Sequence, residues 1–150
     1  MKNLSFVAML WLFFGLRAAS AGTFGTESFS NDAALDWVAN ELKPGGQKAI
    51  ERAIRVVTKT TEYLEAPEAC KAIAACEVLA AAQGRAGSNL PKDVLELAKK
   101  LTSNQGDALR KEAVAAIERI LKDSELKGLW SETPKYEEWR KSVLQLKARI

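Results

Sequence analysis

The sequence predicts an all-α fold, a single compact bundle of about five to six helices around an alanine-rich central helix. Beyond residue 30, apolar residues recur at the three- and four-residue spacing of one helix face. No segment alternates apolar and polar residues as a half-buried strand does. The length of 150 residues leaves room for one domain.

The first two helices are predicted between residues 30 and 64. Ser30 or Asn31 can cap a helix that runs to Leu42, because a short polar side chain accepts a hydrogen bond from the first turn. The run KPGG at 43–46 is expected to end it. A second helix is predicted from Gln47 to Leu64, with this apolar face: Ile50, Ala53, Ile54, Val57 and Thr61.

The third helix, predicted from Pro67 to Gln83, is the candidate for the centre of the bundle. From Ala72 to Ala82 every residue except Glu77 is apolar, and alanine dominates. A helix that is apolar on all sides is normally surrounded by neighbours, which small side chains allow to approach closely. Gly84 is suited to the position that follows its last turn.

Three further segments complete the predicted bundle. A short helix begins at Pro91 and reaches about Leu101. The next presents one apolar stripe: Leu109, Ala113, Ala116, Ile117, Ile120 and Leu121. Residues 124–130 either extend that helix or form a separate turn. Thr133 and Pro134 are expected to start the last helix, which carries Tyr136, Trp139, Val143, Leu146 and Ile150 on one face.

Residues 1–21 have the pattern of a secretory signal peptide. Lys2 precedes an apolar run from Leu4 to Leu16, and the small residues 19–21 (ASA) form a cleavage pattern. The apolar run is shorter than the roughly 20 residues of a stable membrane anchor. We therefore expect export to the periplasm or the medium, with residues 22–150 as the mature domain and no stable anchor after cleavage. An uncleaved N-terminal anchor is the alternative.

The charge balance gives no support for a nucleic-acid partner. The whole chain has 22 basic and 19 acidic residues, and the signal removes two of the basic ones, Lys2 and Arg17. The mature domain is thus nearly neutral. Residues 22–41 carry four acids and no base, whereas residues 127–150 carry six bases and three acids. We expect these two ends to attract one another within the fold; an exposed acidic docking face is the alternative.

The two cysteines are predicted to be buried thiols rather than a disulfide. Cys70 and Cys76 lie six residues apart in one helical segment, which separates their Cα atoms by roughly 10 Å. A disulfide needs less than about 7 Å.

The composition excludes several kinds of active site. Histidine is absent, which removes Ser-His-Asp and Cys-His catalysis and the usual zinc ligands. The segment 22–25 (GTFG) has neither the lysine nor the preceding strand of a phosphate-binding loop. No catalytic residue, metal site or cofactor is predicted.

Glu77 is the polar residue that fits its surroundings least. A lone carboxylate among alanines is expected to pair with another helix or with the N-terminal loop, and a ligand-binding or catalytic role is the alternative. Aromatic residues are expected to pack in the core, among them Tyr63, Trp130 and Trp139, and an exposed recognition surface is the alternative. The candidate binding residues are Glu77, Asp32, Asp36, Phe24, Phe29 and Trp37.

The chain resembles the bacterial family called domain of unknown function 4259. The resemblance rests on the opening segment 22–37 (GTFGTESFSNDAALDW), on 63–68 (YLEAPE) and on the alanine helix with Glu77. Later matches are Leu90-Pro91, Ser124-Glu125-Leu126, Leu129-Trp130 and Trp139-Arg140. The chain departs from the family pattern in two ways: Phe24 stands where tryptophan is usual, and a signal precedes the motif. The family has no established activity, so the resemblance implies no mechanism.

Three classes of function stay open. The preferred one is a non-enzymatic exported binding protein, of an immunity or inhibitor-like kind in the cell envelope, with a protein partner. A hydrolase that uses carboxylates such as Glu77 and Asp36 is the second. A carrier with an apolar cavity under the alanine helix is the third.

Overall fold

The structure is a computed structural model that describes residues 25–101 and 106–150, and these residues form seven helices without a strand. The all-α prediction is confirmed. No helix in these two ranges is both long and apolar enough to span a membrane. The helices are α1 (Asp32–Trp37, continued by the π-helical Val38–Leu42 and by Lys43–Gly45), α2 (Gln47–Lys59), α3 (Ala66–Ala82), α4 (Lys92–Lys100), α5 (Asp107–Lys122), α6 (Glu125–Ser131) and α7 (Tyr136–Arg149).

Helix α3 lies at the centre of the bundle, as the sequence predicts. It packs against α1, α2, α4, α5, α6 and α7, and every residue from 72 to 81 is buried. Its small side chains permit this close approach. The helix ends in a Schellman motif, in which Arg85 N–H donates to Ala80 O at 2.9 Å and Gly84 N–H to Ala81 O at 2.9 Å. Gly84 adopts a φ of 76°, which favours glycine.

The first helix extends beyond its predicted end at Leu42. Asn31 caps it, since its Oδ1 accepts a hydrogen bond from Ala34 N–H at 2.8 Å. Pro44 has no N–H with which to continue the α-helical ladder, and just before it Lys43 N–H donates to Val38 O in a π-helical bond. The chain therefore passes Leu42 and turns at Gly46, whose φ is 52°.

The second helix is shorter than predicted, because it ends at Lys59 and not at Leu64. Thr60 is extended, and the guanidinium of Arg119 on α5 donates to Thr60 O at 3.0 Å and to Glu62 O at 2.9 Å. These bonds satisfy carbonyl groups outside the helix. Thr61, expected on the apolar face, is exposed.

The segment after α5 forms the separate helix α6, and neither the predicted extension of α5 nor the predicted separate turn is found. Ser124 caps it by accepting from Lys127 N–H at 3.0 Å, and its hydroxyl donates to Ile120 O at 2.8 Å. The last helix starts at Tyr136, later than the predicted Thr133. Thr133 instead closes the turn after α6, with both its N–H and its Oγ1 donating to Trp130 O at 2.9 Å.

Most of the aromatic and cysteine predictions are confirmed in the core. Trp130 and Trp139 are buried and stack with ring centroids 6.0 Å apart. Cys70 and Cys76 are buried free thiols. Tyr63 is the exception at 68% exposed, because it lies in the segment after α2 and not inside the helix predicted to reach Leu64.

Candidate functional site

A solvent-open groove with a volume of about 600 Å³ lies at one end of α3. Its walls are the N-terminal loop (residues 26–29), the α3–α4 loop (residues 86–90) and one side of α7. Glu77 of α3 contributes to its lining. We call this space, with these walls, the polar groove.

Glu77 forms a two-point ion pair with Arg149 beside the polar groove. Arg149 Nη1 donates to Glu77 Oε2 at 2.9 Å, and Nη2 donates to Oε1 at 2.7 Å. The Glu77 side chain is 9% exposed and that of Arg149 is 27% exposed. A nearly buried carboxylate needs such a partner, because removing a charge from water is costly. The ion pair fastens α7 to α3.

Two further contacts fix this pair in place. Ser28 Oγ in the N-terminal loop donates to Glu77 Oε1 at 3.2 Å. Arg149 Nη1 also donates to the main-chain oxygen of Arg85 at 3.1 Å. A methyl group at Gly87 would lie 3.2 Å from the guanidinium nitrogens of Arg149. The guanidinium is therefore held tightly against the backbone of the α3–α4 loop.

Several polar side chains of the groove have no partner among the described residues. No hydrogen bond or ion pair links the following side chains to residues 25–101 or 106–150: Ser88, Asn89, Lys141, Ser142 and Gln145. Glu138, by contrast, accepts a hydrogen bond from Thr26 Oγ1 at 2.9 Å. Donors and acceptors thus line the groove without being used within the described chain.

Glu77 and the two cysteines are not in states suited to acid–base or thiol catalysis. Glu77 is already neutralised by Arg149. Burial raises the pKa of the Cys70 thiol to about 12 and raises the pKa of Cys76 further. The two thiols are therefore protonated and poorly nucleophilic near neutral pH. The described ranges contain no cluster of three or more potential metal ligands of the His, Cys, Asp and Glu types.

The structure brings two of the predicted site residues together and separates the others. Phe29 is buried and lines the groove with Glu77. Asp32 and Asp36 are exposed on α1 and do not line it. Trp37 is buried in the core, where its Nε1 has no hydrogen-bond partner in the described part of the chain. Phe24 lies outside the described residues.

The expected attraction between the acidic and basic ends takes a different form. Glu41 pairs with Arg52 and Lys71, whereas Arg149 and Lys147 pair with Glu77 and Glu118. No ion pair among the described residues joins 25–41 to 127–150. The two ends are joined instead by a hydrogen bond from the uncharged hydroxyl of Thr26 to the carboxylate of Glu138.

Ser28, Arg149 and the α3–α4 loop are not identified by sequence reasoning. Arg149 lies 72 positions from Glu77, and a charged residue in the last turn of a helix has the pattern of a solvated side chain. One sequence signal points to the loop: residues 85–89 (RAGSN) are polar and lack helical periodicity. Such loops carry binding residues more often than helices do.

The family model described as a domain of unknown function, DUF4259, matches residues 22–142. The chain belongs to this family. The DUF4259 match includes Ser28, Glu77 and the α3–α4 loop, and it ends before Arg149. The comparisons with curated proteins and with solved structures gave no match.

Proposed function

We propose that the protein is a non-enzymatic binding protein whose polar groove receives a segment of a partner protein. The observation that carries the proposal is the set of unpaired polar side chains in a groove of about 600 Å³. Unused donors and acceptors in a concave surface are suited to main-chain and side-chain groups of a second molecule.

The form of the groove favours a polypeptide segment over a small molecule. Small-molecule sites are mostly apolar and enclose most of the ligand surface. This groove is open to solvent, and its lining combines serine, asparagine, glutamine and charged side chains with the apolar Phe29 and Leu90. An extended segment could lie along it and exchange hydrogen bonds with both the α3–α4 loop and α7.

The alternatives have less support. A carboxylate hydrolase that used Glu77 would need this group free to exchange a proton, and Glu77 is held by Arg149 and Ser28. Asp36, the second proposed carboxylate, does not line the groove. A cavity beside Cys70 and Trp130 has a volume of about 20 Å³, which is room for about one water molecule and not for an apolar cargo.

We further propose that the domain acts outside the cytoplasm, as an immunity or inhibitor-like protein of the cell envelope. Residues 1–21 have the pattern of a secretory signal. The DUF4259 match begins at residue 22, immediately after the expected cleavage position. The small helical domain would then meet its partner in the envelope or the medium.

Site-specific photo-crosslinking in cells that make the protein tests the groove. A benzoylphenylalanine placed at Ser88 or Gln145 would face the groove. We expect both positions to yield the same crosslinked protein, identified by mass spectrometry. The peptide crosslinked to the two positions should come from one short region of the partner.

The control places the same photo-reactive residue at Lys111 or Lys122, exposed residues of α5 that do not line the groove. These variants should give no crosslink to that partner. Crosslinks from the α5 positions with none from Ser88 or Gln145 would contradict the proposal.

A further inference from the structure

Arg149 has one edge of its guanidinium that no described residue uses. A guanidinium carries five N–H groups in a rigid plane. Nη1 donates to Glu77 Oε2 and to Arg85 O, and Nη2 donates one hydrogen to Glu77 Oε1. Nε–H and the second hydrogen of Nη2 have no acceptor among the described residues. These two donors point in parallel from the same edge, the arrangement that binds an oxygen acceptor at two points.

This free edge belongs to a rigid and partly buried group. The nearly buried Glu77 holds the neighbouring Nη1–Nη2 edge, and the backbone at Gly87 lies against the guanidinium. Arg149 contributes to the groove lining. An oxygen that met the free edge would lose little side-chain entropy from Arg149, because the side chain is already fixed.

The charges around the groove indicate which oxygen fits. Glu77 neutralises the positive charge of Arg149. Two more carboxylates, Glu27 and Glu138, line the groove, against the single base Lys141. A ligand carboxylate would be repelled by this net negative lining, whereas an uncharged main-chain carbonyl would not. A basic side chain near the carbonyl would be attracted to Glu27 and Glu138.

We propose that Nε and Nη2 of Arg149 bind a main-chain carbonyl oxygen of a partner segment that carries a lysine or arginine. This inference rests on the proposed function, and it names the anchor residue and the chemistry of the segment. Glu27 and Glu138 select the basic side chain, and the unpaired side chains of the α3–α4 loop and α7 hold the remaining main chain.

A pair of capped pentapeptides tests the anchor and the charge preference together. The probes are acetyl-Gly-Gly-Lys-Gly-Gly-amide and its counterpart with Glu in place of Lys. The signal of Arg149 Nε–H and the backbone amides of 86–90 are followed by ¹⁵N NMR during titration. We expect the lysine peptide to shift these signals and to bind about tenfold more tightly than the glutamate peptide, a difference that decreases with added salt.

Two variants separate the anchor from the fold. Arg149→Lys keeps a positive charge beside Glu77 but has no two-donor edge. Gly87→Ala changes no charge and displaces the guanidinium, because the new methyl group would lie 3.2 Å from it. Both should weaken binding of the lysine peptide at least about fivefold while the amide signals of α3 stay in their folded positions. Wild-type affinity in a folded variant overturns the inference.

The other outcomes of the titrations test the charge preference and the anchor separately. Equal or stronger binding of the glutamate peptide overturns the charge assignment, and titrations in which the Arg149 Nε–H signal does not move overturn the anchor. In either case crosslinks at Ser88 and Gln145 would leave the groove as a partner site. Absence of those crosslinks, together with peptide binding at Arg149, would contradict the proposed partner but not the anchor.

Discussion

Glu77 is a charged side chain in a helix whose other buried residues are small or apolar. It is tolerated there because three hydrogen bonds from Arg149 and Ser28 replace those that water would make. The same contacts tie three parts of the chain together: the N-terminal loop, α3 and the end of α7. Loss of the charge on Glu77 would leave the guanidinium of Arg149 without its main partner.

We predict that Glu77→Gln lowers the free energy of unfolding by about 2–3 kcal/mol, because charge-assisted hydrogen bonds to a buried group are lost. Chemical denaturation measures this change. Glu118→Gln is the matched control. Glu118 of α5 pairs with Lys147, which lies on α7 like Arg149, but the Glu118 side chain is 58% exposed. The control should cost less than about 1 kcal/mol. Equal losses in the two variants would contradict the special role of Glu77.

The buried thiol of Cys70 predicts a pH dependence of stability. Its pKa is raised by burial from 9.0 to about 12. In the unfolded chain the thiol ionises near pH 9.0, whereas in the folded protein it stays protonated. The stability that this group contributes is therefore fully present below pH 9 and is lost as the pH rises towards 12.

Denaturation of wild type and of Cys70→Ala between pH 7 and about pH 11 measures this alkaline loss of stability. The free energy of unfolding of the variant should fall less steeply above pH 9 than that of wild type. Parallel slopes would mean that other groups, such as tyrosine and lysine, cause the whole alkaline loss.

The pairing of Glu77 could be predicted from the sequence, but its partner could not. A lone carboxylate in an apolar helix requires a counterpart wherever it lies, so composition alone suffices for that step. Arg149 is one of several bases in the last helix, and only the way α7 packs on α3 selects it. The groove is missed for the same reason, because its walls come from three distant parts of the chain.

Helix α3 shows how far local pattern determines an element. Its apolar composition predicts its central place, and its bounds differ by one residue at each end from those predicted. The start at Ala66 is supported by Glu125 of α6, whose Oε2 accepts from Ala66 N–H at 2.9 Å. Where a distant side chain competes with helical continuation, as Arg119 does beyond Lys59, the local pattern predicts the wrong end.

We predict that Ala75→Phe destabilises the fold by about 1–3 kcal/mol, because Ala75 is fully buried on α3 and a large ring would overpack its surroundings. Thermal or chemical denaturation measures the loss. Ala115→Phe, at an exposed alanine of α5, is the matched control and should change the stability by less than about 0.5 kcal/mol. An unchanged midpoint for Ala75→Phe would contradict the central position of α3.

At the scale of the whole molecule, the described residues form a seven-helix bundle with its groove where the N-terminal loop, the α3–α4 loop and α7 meet. The N-terminal loop begins a few residues after the expected signal. Correct processing would therefore place the new chain end close in sequence to the groove wall at 26–29.

We predict that the protein is exported and that its mature chain begins at Gly22. Signal peptidases cut after small residues, and Ala19, Ser20 and Ala21 provide that pattern. The intact mass and N-terminal sequencing of the protein recovered from outside the cytoplasm measure the cut. A mature chain that begins several residues beyond Gly22, inside the family motif, would contradict this prediction.

The central claim is tested most directly by hydrogen–deuterium exchange of the protein alone and in complex with the partner that crosslinking identifies. If the polar groove is the binding surface, added protection should be concentrated in residues 26–29, 86–90 and 138–149, because these form its walls. Residues 107–122 of α5, which contribute nothing to the lining, should exchange as in the free protein. Protection of α5 with unchanged exchange in the three walls would show that the partner binds elsewhere and would contradict the account.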